Sequence, residues 1–148
     1  MISFDFSSHC TVCCACVDVC PKRCIEMREN KLGFRIPYVN LTDCVNCNLC
    51  EKVCPIISEP KLSSCKLVYS AYNKNDIERK CGSSGSVMLL LARNILSKGG
   101  AVYGAAFDDY LQLHHTRATS YEQLLLQSKS KYIQSDLQGI FNAVKKDV

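Results

Sequence analysis

The chain has 148 residues, a formal charge of +4 and 12 cysteines, which allows one ordinary domain or two small ones. Its longest purely apolar run, Val87–Ala92, is far too short to span a bilayer, so no membrane span is predicted. Residues 1–6 lack the basic and apolar regions of a signal peptide, which argues against a secreted disulfide scaffold. The many cysteines therefore predict a reducing, cytoplasmic setting.

A cysteine motif, C-x2-C-x2-C-x3-C-P, occurs twice in the first part of the chain. The first copy runs from Cys10 to Pro21 and the second from Cys44 to Pro55, with the same interval between all corresponding positions. This is the run that binds [4Fe–4S] clusters. A pair of structural zinc sites would also use sets of four cysteines, but zinc has no need of three close thiolates followed by Cys-Pro. The sequence therefore predicts two [4Fe–4S] clusters in preference to zinc.

The last cysteine of each motif is predicted to serve the cluster of the other copy. Cys20 follows Cys16, and Cys54 follows Cys50, by four residues, which is one helical turn. That step carries the last thiolate away from its own loop, as in two-cluster ferredoxins. One predicted ligand set is Cys10, Cys13, Cys16 and Cys54. The other is Cys44, Cys47, Cys50 and Cys20.

Bound clusters would change the net charge of the protein. Eight thiolates add eight negative charges, and two oxidised cluster cores return about four positive ones. The loaded protein therefore comes out near neutral, and its basic balance gives no reason to expect a nucleic-acid partner.

The elements of the first part are predicted around the two motifs. Residues 2–6 alternate apolar and polar side chains, which predicts a short strand. A hairpin is expected from Cys24–Arg28 and Phe34–Val39, with Pro37 limiting the second strand to a sheet edge. Residues 55–66 are predicted to be a linker.

The second part is predicted to begin with a right-handed βαβ unit. Its strands would be Leu67–Tyr72 and Ala101–Phe107, the latter covered on both faces, with a helix over Ser86–Lys98 between them. A strand (Leu111–Arg117), a helix (Ser120–Leu126), an extended piece (Lys131–Ser135) and a second helix (Leu137–Lys146) follow.

The predicted fold class is α+β. Residues 1–60 form a bacterial two-cluster ferredoxin-like module, and residues 61–148 form a partial α/β domain with a mixed sheet. Because the chain stops without a further strand, we expect a fragment or a truncated copy of something longer.

A Ser/Gly loop, Gly82–Ser86, comes directly before the helix predicted in the second part. Small residues there let N–H groups and hydroxyls approach an anion at a helix N-terminus. Serine-rich N-caps also occur on many helices that bind nothing. From the loop alone, a simple helix cap is therefore a more frequent outcome than a phosphate site. Lys129 and Lys131 could meet a phosphate, although such lysines are more often solvated.

Cys14, Cys24, Cys65 and Cys81 lie outside the eight motif positions. Cys14 and Cys24 are predicted to be buried small hydrophobic residues. Cys81, beside the Ser/Gly loop, is the one that we would test for reactivity.

The whole chain resembles the coenzyme F420 hydrogenase/dehydrogenase beta-subunit family, in the form with a two-cluster ferredoxin module in front. The resemblance rests on the two cysteine motifs, the Ser/Gly loop, Gly99–Phe107 and Ser130–Asp136. It implies an iron–sulfur flavoprotein in which FAD exchanges a hydride with a deazaflavin or similar partner and single electrons with the clusters. The residues that it places at the flavin are Ser83, Ser84, Gly85 and Lys131.

Two functions from different classes follow. The first is the beta-subunit-like part of a flavin-dependent oxidoreductase, with a redox protein or a flavin or deazaflavin as partner. The alternative is a stand-alone ferredoxin-type electron carrier whose second half only docks to a partner protein. Releasable flavin on the purified protein would distinguish them.

Overall fold

The computed structural model describes residues 2–3, 10–59 and 61–148. Within them the elements are, in chain order, α1 (Ala15–Val19), β1 (Ile25–Glu29), β2 (Arg35–Val39), α2 (Leu49–Lys52), α3 (Asp76–Cys81), α4 (Val87–Leu96), β3 (Val102–Phe107), β4 (Leu113–Ala118), α5 (Tyr121–Gln127) and α6 (Ile140–Asp147). Helices and small antiparallel sheets together confirm the α+β class.

The described residues fall into two compact units. Unit 1 holds those up to Ser63, together with Leu137–Lys146 and Val148. Unit 2 holds Ser64–Asp136 together with Asp147. The division of the chain into domains 1–60 and 61–148 stays a prediction.

The hairpin of unit 1 separates the two cysteine motifs. β1 and β2 pair antiparallel, with Ile25 opposite Val39. Gly33 turns the chain with a φ of 79°, a conformation that glycine adopts without steric cost. Pro37 is accommodated opposite Met27 because each strand of a two-stranded sheet has an open edge. The predicted hairpin is therefore confirmed.

Among the described residues of unit 1, cysteine supplies most of the buried core. Its buried members are Ile2, Cys16, Cys24, Ile25, Cys50 and Cys54. Two isoleucines and a few small thiols bury little apolar surface, and a unit of this size is marginal without help. Metal binding at Cys16, Cys50 and Cys54 would therefore supply folding free energy.

Asp18, on α1, is bound by the residues that begin α6, all within unit 1. Its carboxylate accepts hydrogen bonds from the N–H groups of Gly139 (2.7 Å) and Phe141 (3.0 Å). An anion is favoured there because the first N–H groups of a helix have no intrahelical partner.

Unit 2 packs α4 and α5 against a second hairpin. β3 and β4 pair antiparallel, with Val102 opposite Ala118. Ser120 caps α5 by accepting from the N–H of Gln123, as its position predicts. Four buried side chains form the core, and they are Leu89, Ala92, Ala118 and Leu124. The predicted helices α4 and α5 and strands β3 and β4 are confirmed.

The predicted βαβ unit is wrong for the described part of the chain. Leu67–Tyr72 forms no strand, and Leu67, Val68 and Tyr69 are 72%, 87% and 80% exposed. β3 instead pairs with β4, the next strand along the chain, through a turn in which Asp108 accepts from the N–H groups of Tyr110 and Gln112. Closing the short turn of a hairpin costs less conformational entropy than closing the long connection of a crossover.

Three smaller expectations also change. β3 is half-buried, not covered on both faces. Parallel pairing in the described residues is limited to one isolated bridge, His114 to Asp136, so the two sheets are antiparallel and not mixed. Helix α3 was not predicted, although Asn75 caps it by accepting from two backbone N–H groups. Most of the strand predicted over residues 2–6 lies outside the described residues.

In the part of the chain that the structure describes, no helix combines the length and the apolar character needed to cross a bilayer.

Candidate metal centres

Two cavities in unit 1 are lined by the motif cysteines. The Cys10 cavity, of about 310 Å³, is lined by Cys10, Cys13, Cys16 and Cys54 among others. The Cys44 cavity, of about 370 Å³, is lined by Cys44, Cys47, Cys50 and Cys20 among others. Three cysteines of each cavity come from one motif and the fourth from the other motif. The fold thus groups the cysteines in the two crossed sets that the sequence predicts, while their role as ligands stays a prediction.

The short helices explain the crossing. α1 carries Cys16 and ends at Cys20, and α2 carries Cys50 and ends just before Cys54. One helical turn advances the chain by about 5.4 Å, which is enough to move the last thiol from its own loop to the neighbouring cavity. The two helices also pack against each other. The last cysteine of each motif therefore lies at the cavity lined by the other motif.

Both motif loops contain residues with a left-handed backbone conformation at equivalent positions. Val12 and Cys14 have φ values of 56° and 60° in the first loop, and Asn46 and Asn48 have 51° and 58° in the second. The second pair occupies the same positions in its motif as the first pair does, so the repeat extends to the backbone. Left-handed residues interleaved with ordinary ones form concave nests of N–H groups, which hold anions and iron–sulfur clusters.

The left-handed conformation at Val12 is costly because Val12 is β-branched. Such strain persists only where the surroundings over-determine it, and it gathers at ligand-binding sites. The loops are therefore shaped for a negatively charged group, which matches a cluster bearing four thiolates.

The walls of both cavities are otherwise mostly apolar. Ile25, Val39, Val45 and Leu49 line the Cys44 cavity. Ile2, Met27 and Ile56 line the Cys10 cavity. Apolar walls limit water access and help to set the potential of an enclosed centre. The donor set, four soft thiolates in an apolar shell, fits an iron–sulfur cluster.

Among the described residues, no three His, Cys, Asp or Glu side chains lie close enough together to hold one metal ion.

A fifth thiol lies beside the ligand set of the Cys44 cavity. Cys24 Sγ is 3.4 Å from Cys20 Sγ, and Cys24 lines the same cavity. Burial raises the pKa of Cys24 to about 11, with the Cys20 thiol adding to the effect. Burial opposes ionisation of Cys20 too, but hydrogen bonds from Cys24 and from the backbone of Lys22 and Arg23 outweigh it and lower the pKa of Cys20.

The Cys10 cavity has a different electrostatic setting. Burial, reinforced by the thiols of Cys13 and Cys10, raises the pKa of Cys16 to about 12. Burial also raises the pKa of Cys10. In the cluster-free protein these crowded thiols hold their protons, so iron binding must release protons as it forms thiolates.

The Ser/Gly loop forms a separate cleft in unit 2. This cleft, of about 410 Å³, is lined by Gly82, Ser83, Ser86, Met88, Leu89, Lys129 and Ser130. Ser83 Oγ accepts hydrogen bonds from the N–H (2.7 Å) and the hydroxyl (3.1 Å) of Ser130. Ser86 begins α4 without capping it by a side-chain hydrogen bond. The residues that begin α4 therefore line a small cleft together with Ser83, Lys129 and Ser130.

The four predicted flavin residues do not gather in this cleft. Ser83 lines it, but Ser84, Gly85 and Lys131 are absent from its lining. A Cβ on Gly85 would lie 2.5 Å from the carbonyl oxygen of Ala71, so Gly85 is needed for close packing. Lys131 Nζ donates to the carbonyls of Leu126 and Ser128. The roles of these residues stay predictions, and Lys129 is the lysine that the lining of the cleft contains.

Cys24 is the site residue whose position the sequence analysis missed. It was predicted to be a small core residue, and it is indeed buried, but its thiol also contacts a predicted ligand. Its place four residues after Cys20 was the available signal. Ile2 and Met27, which line the Cys10 cavity, were likewise not predicted there.

Comparison with known proteins gives an independent result for the same segment. Residues 9–56 match the 4Fe-4S dicluster domain family. A ferredoxin of Mycolicibacterium smegmatis is 40% identical over 42 residues, which cover 28% of this chain and 35% of that protein. A ferredoxin of Saccharopolyspora erythraea is 31% identical over 64 residues, which cover 43% of this chain and 56% of that protein.

The chain spans about a third of one relative and just over half of the other. The matched family segment contains both cysteine motifs, whereas unit 2 lies beyond it. The chain carries an iron–sulfur ferredoxin module, a type of domain that transfers electrons.

Proposed function

We propose that this chain is an electron-transfer protein with two [4Fe–4S] clusters that passes electrons between them and a flavin. Cys10, Cys13, Cys16 and Cys54 hold one cluster in this proposal. Cys44, Cys47, Cys50 and Cys20 hold the other. The observation that carries it is the presence of two cavities, each lined by four motif cysteines in the crossed arrangement.

Each cluster, when bound, accepts or gives one electron without a change of ligands. The residues of the chain provide what such a centre needs. Cysteines from both motifs would anchor it, the left-handed loop residues would supply backbone N–H groups, and apolar side chains would limit the access of water. Both ligand sets draw on α1 and α2, which pack against each other, so the same two helices would hold both clusters within one small unit.

Metal analysis tests this part of the proposal. After anaerobic purification we expect about eight iron and eight acid-labile sulfide per chain, with a brown colour that bleaches on reduction. Zinc in place of iron, with no sulfide, would contradict the assignment.

The flavin part of the proposal places FAD in unit 2, as in a beta-subunit-like portion of a flavin-dependent oxidoreductase. A redox protein or a deazaflavin-like cofactor is then the next electron partner. The Ser/Gly cleft supports this placement. Its lining combines the residues that begin α4, the hydroxyl-bearing Ser83 and Ser130, and Lys129, a set that suits a pyrophosphate.

Neighbouring serines provide a matched test of flavin binding. Ser83→Asp puts a negative charge into the cleft, whereas Ser84→Asp puts the same charge one residue outside its lining. Hydrogen bonds to charged groups contribute about 1.5–3 kcal/mol each, so Ser83→Asp should weaken FAD binding more than tenfold. Ser84→Asp should weaken it much less, and both variants should keep their iron. Equal effects of the two variants would mean that the cleft does not hold the pyrophosphate.

A stand-alone electron carrier remains the second candidate function. It is favoured by the position of Lys131, whose ammonium group is hydrogen-bonded to backbone carbonyls outside the cleft. Fully loaded brown protein that releases no flavin, and binds none when FAD is added, would establish the carrier and exclude the flavin proposal.

A further inference from the structure

The thiol of Cys24 is buried and held next to a predicted cluster ligand. Its residue is 8% exposed, and its Sγ lies 3.4 Å from that of Cys20. The carbonyl of Cys24 accepts a hydrogen bond from the N–H of Asn40 at 2.8 Å, and β1 begins at the next residue. A backbone fixed in this way keeps the thiol in place.

The direction of the Cys24–Cys20 hydrogen bond follows from ligation. A cysteine that binds iron is a thiolate and can only accept. Cys24 then has to be the donor, with its S–H directed at the sulfur of Cys20. This contact rests on the assignment of Cys20 as a ligand in the proposed function.

The internal repeat supplies a comparison within the same chain. The sequence interval that relates Cys20 to Cys54 also relates Cys24 to Ser58. The hydroxyl of Ser58 donates to the carbonyl oxygen of Glu51 at 3.1 Å. The position equivalent to Cys24 in the second motif thus directs its hydroxyl to backbone and not to the ligand Cys54.

The Cys10 cavity also has a fifth cysteine, Cys14, but with a different contact. Its thiol donates to the carbonyl oxygen of Val12 at 3.6 Å. Each cavity therefore has one extra thiol in its lining, and the thiol of Cys24 lies 3.4 Å from a predicted ligand sulfur.

We propose that Cys24 is a positioning residue that raises the reduction potential of the cluster in the Cys44 cavity above that of the cluster in the Cys10 cavity. A hydrogen bond to a ligand sulfur withdraws charge from it and favours the reduced cluster, which carries one more electron. The tuned step is the transfer of one electron, and the Cys24 thiol keeps its proton in both states. An electron shared by the two clusters then resides mainly on the one bound by Cys20.

Substitution of Cys24 in the full chain tests this role. The two midpoint potentials are measured by titration followed with electron paramagnetic resonance, and iron is counted in each sample. Cys24→Ala should retain about eight iron and lower the potential of one cluster only. We expect a change of about tenfold in its electron occupancy, which equals about 59 mV for one electron.

Cys24→Ser separates the hydrogen bond from packing. Serine keeps a hydrogen-bond donor at the same place. The midpoint potential of this cluster in Cys24→Ser should therefore stay close to the wild-type value, compared with the shift in Cys24→Ala, or rise above it. Ser58→Ala and Cys14→Ala are the matched controls, and neither should move the potential that Cys24→Ala lowers.

Several results would overturn the proposal. They are unchanged potentials in Cys24→Ala, an equal fall in Cys24→Ser, or a loss of four irons in Cys24→Ala, which would make Cys24 a requirement for cluster binding. Failure of the two-cluster part of the proposed function gives a different result, because the wild-type chain itself would then lack iron.

Discussion

Replacing Glu78 with alanine should destabilise unit 2 strongly, because this carboxylate is buried among three partners. Its side chain is 9% exposed and forms an ion pair with Arg93. It also accepts from Asn73 Nδ2 at 2.8 Å and from the hydroxyl of Tyr121 at 3.4 Å. The network joins α3, α4 and α5, so its loss affects the packing of the whole unit.

The expected cost of Glu78→Ala is about 2–4 kcal/mol. Leaving the buried amide of Asn73 without its acceptor accounts for about 1–3 kcal/mol. The pair with Arg93 adds about 1 kcal/mol, since the arginine is 49% exposed and stays hydrated when its partner is lost. In urea, this cost lowers the unfolding midpoint by about 1–2 M.

Asp76→Ala, on the same helix, is the matched control. Asp76 pairs with Arg79 at 2.7 Å, but its side chain is 71% exposed, so its removal should cost at most about 1 kcal/mol. Urea unfolding is followed by circular dichroism, with the cluster absorbance recorded in parallel. A midpoint shift for Glu78→Ala no larger than that for Asp76→Ala would refute the reasoning.

Two backbone substitutions give predictions of opposite sign in the same assay. Gly85→Ala should lower the free energy of unfolding by about 1–3 kcal/mol because its Cβ would meet the backbone oxygen of Ala71. Ser84→Ala, at an exposed position, should be nearly neutral. Equal unfolding midpoints for the two variants would contradict close packing at Gly85. Val12→Gly should stabilise the cluster-loaded protein by up to about 1 kcal/mol, because glycine relieves the strain of the left-handed conformation. Val17→Gly, inside α1, should destabilise it by about 1 kcal/mol. Destabilisation by both substitutions would show that Val12 is not strained.

The sequence was informative about the site because the chemistry of a cubane restricts ligand spacing. The constant interval between the two motifs and the helical turn from Cys16 to Cys20 can both be read directly from the chain, and together they specify which cysteines can meet. The hairpin between the motifs is also local, since a turn at Gly33 and two short strands suffice to define it.

Features that depend on distant partners were predicted less well. Leu67–Tyr72 has the composition of a strand but pairs with no other strand in the described residues. Helix α3 is short and polar, so its signal is the cap at Asn75 and not an apolar period. The four-residue spacing of Cys20 and Cys24 was a signal for their contact, but the contact also depends on the path of the chain into β1.

The crossed use of the last cysteines is the central claim, and the most direct measurement compares three single variants by their cluster spectra. Cys10→Ala removes a ligand of one cluster, Cys44→Ala removes a ligand of the other, and Cys54→Ala is the unknown. Electron paramagnetic resonance of the reduced proteins, with iron counted in each, should show Cys54→Ala losing the same signal as Cys10→Ala, since these two cysteines line one cavity. If Cys54→Ala instead loses the signal that Cys44→Ala loses, each motif binds its own cluster and the crossed arrangement is wrong.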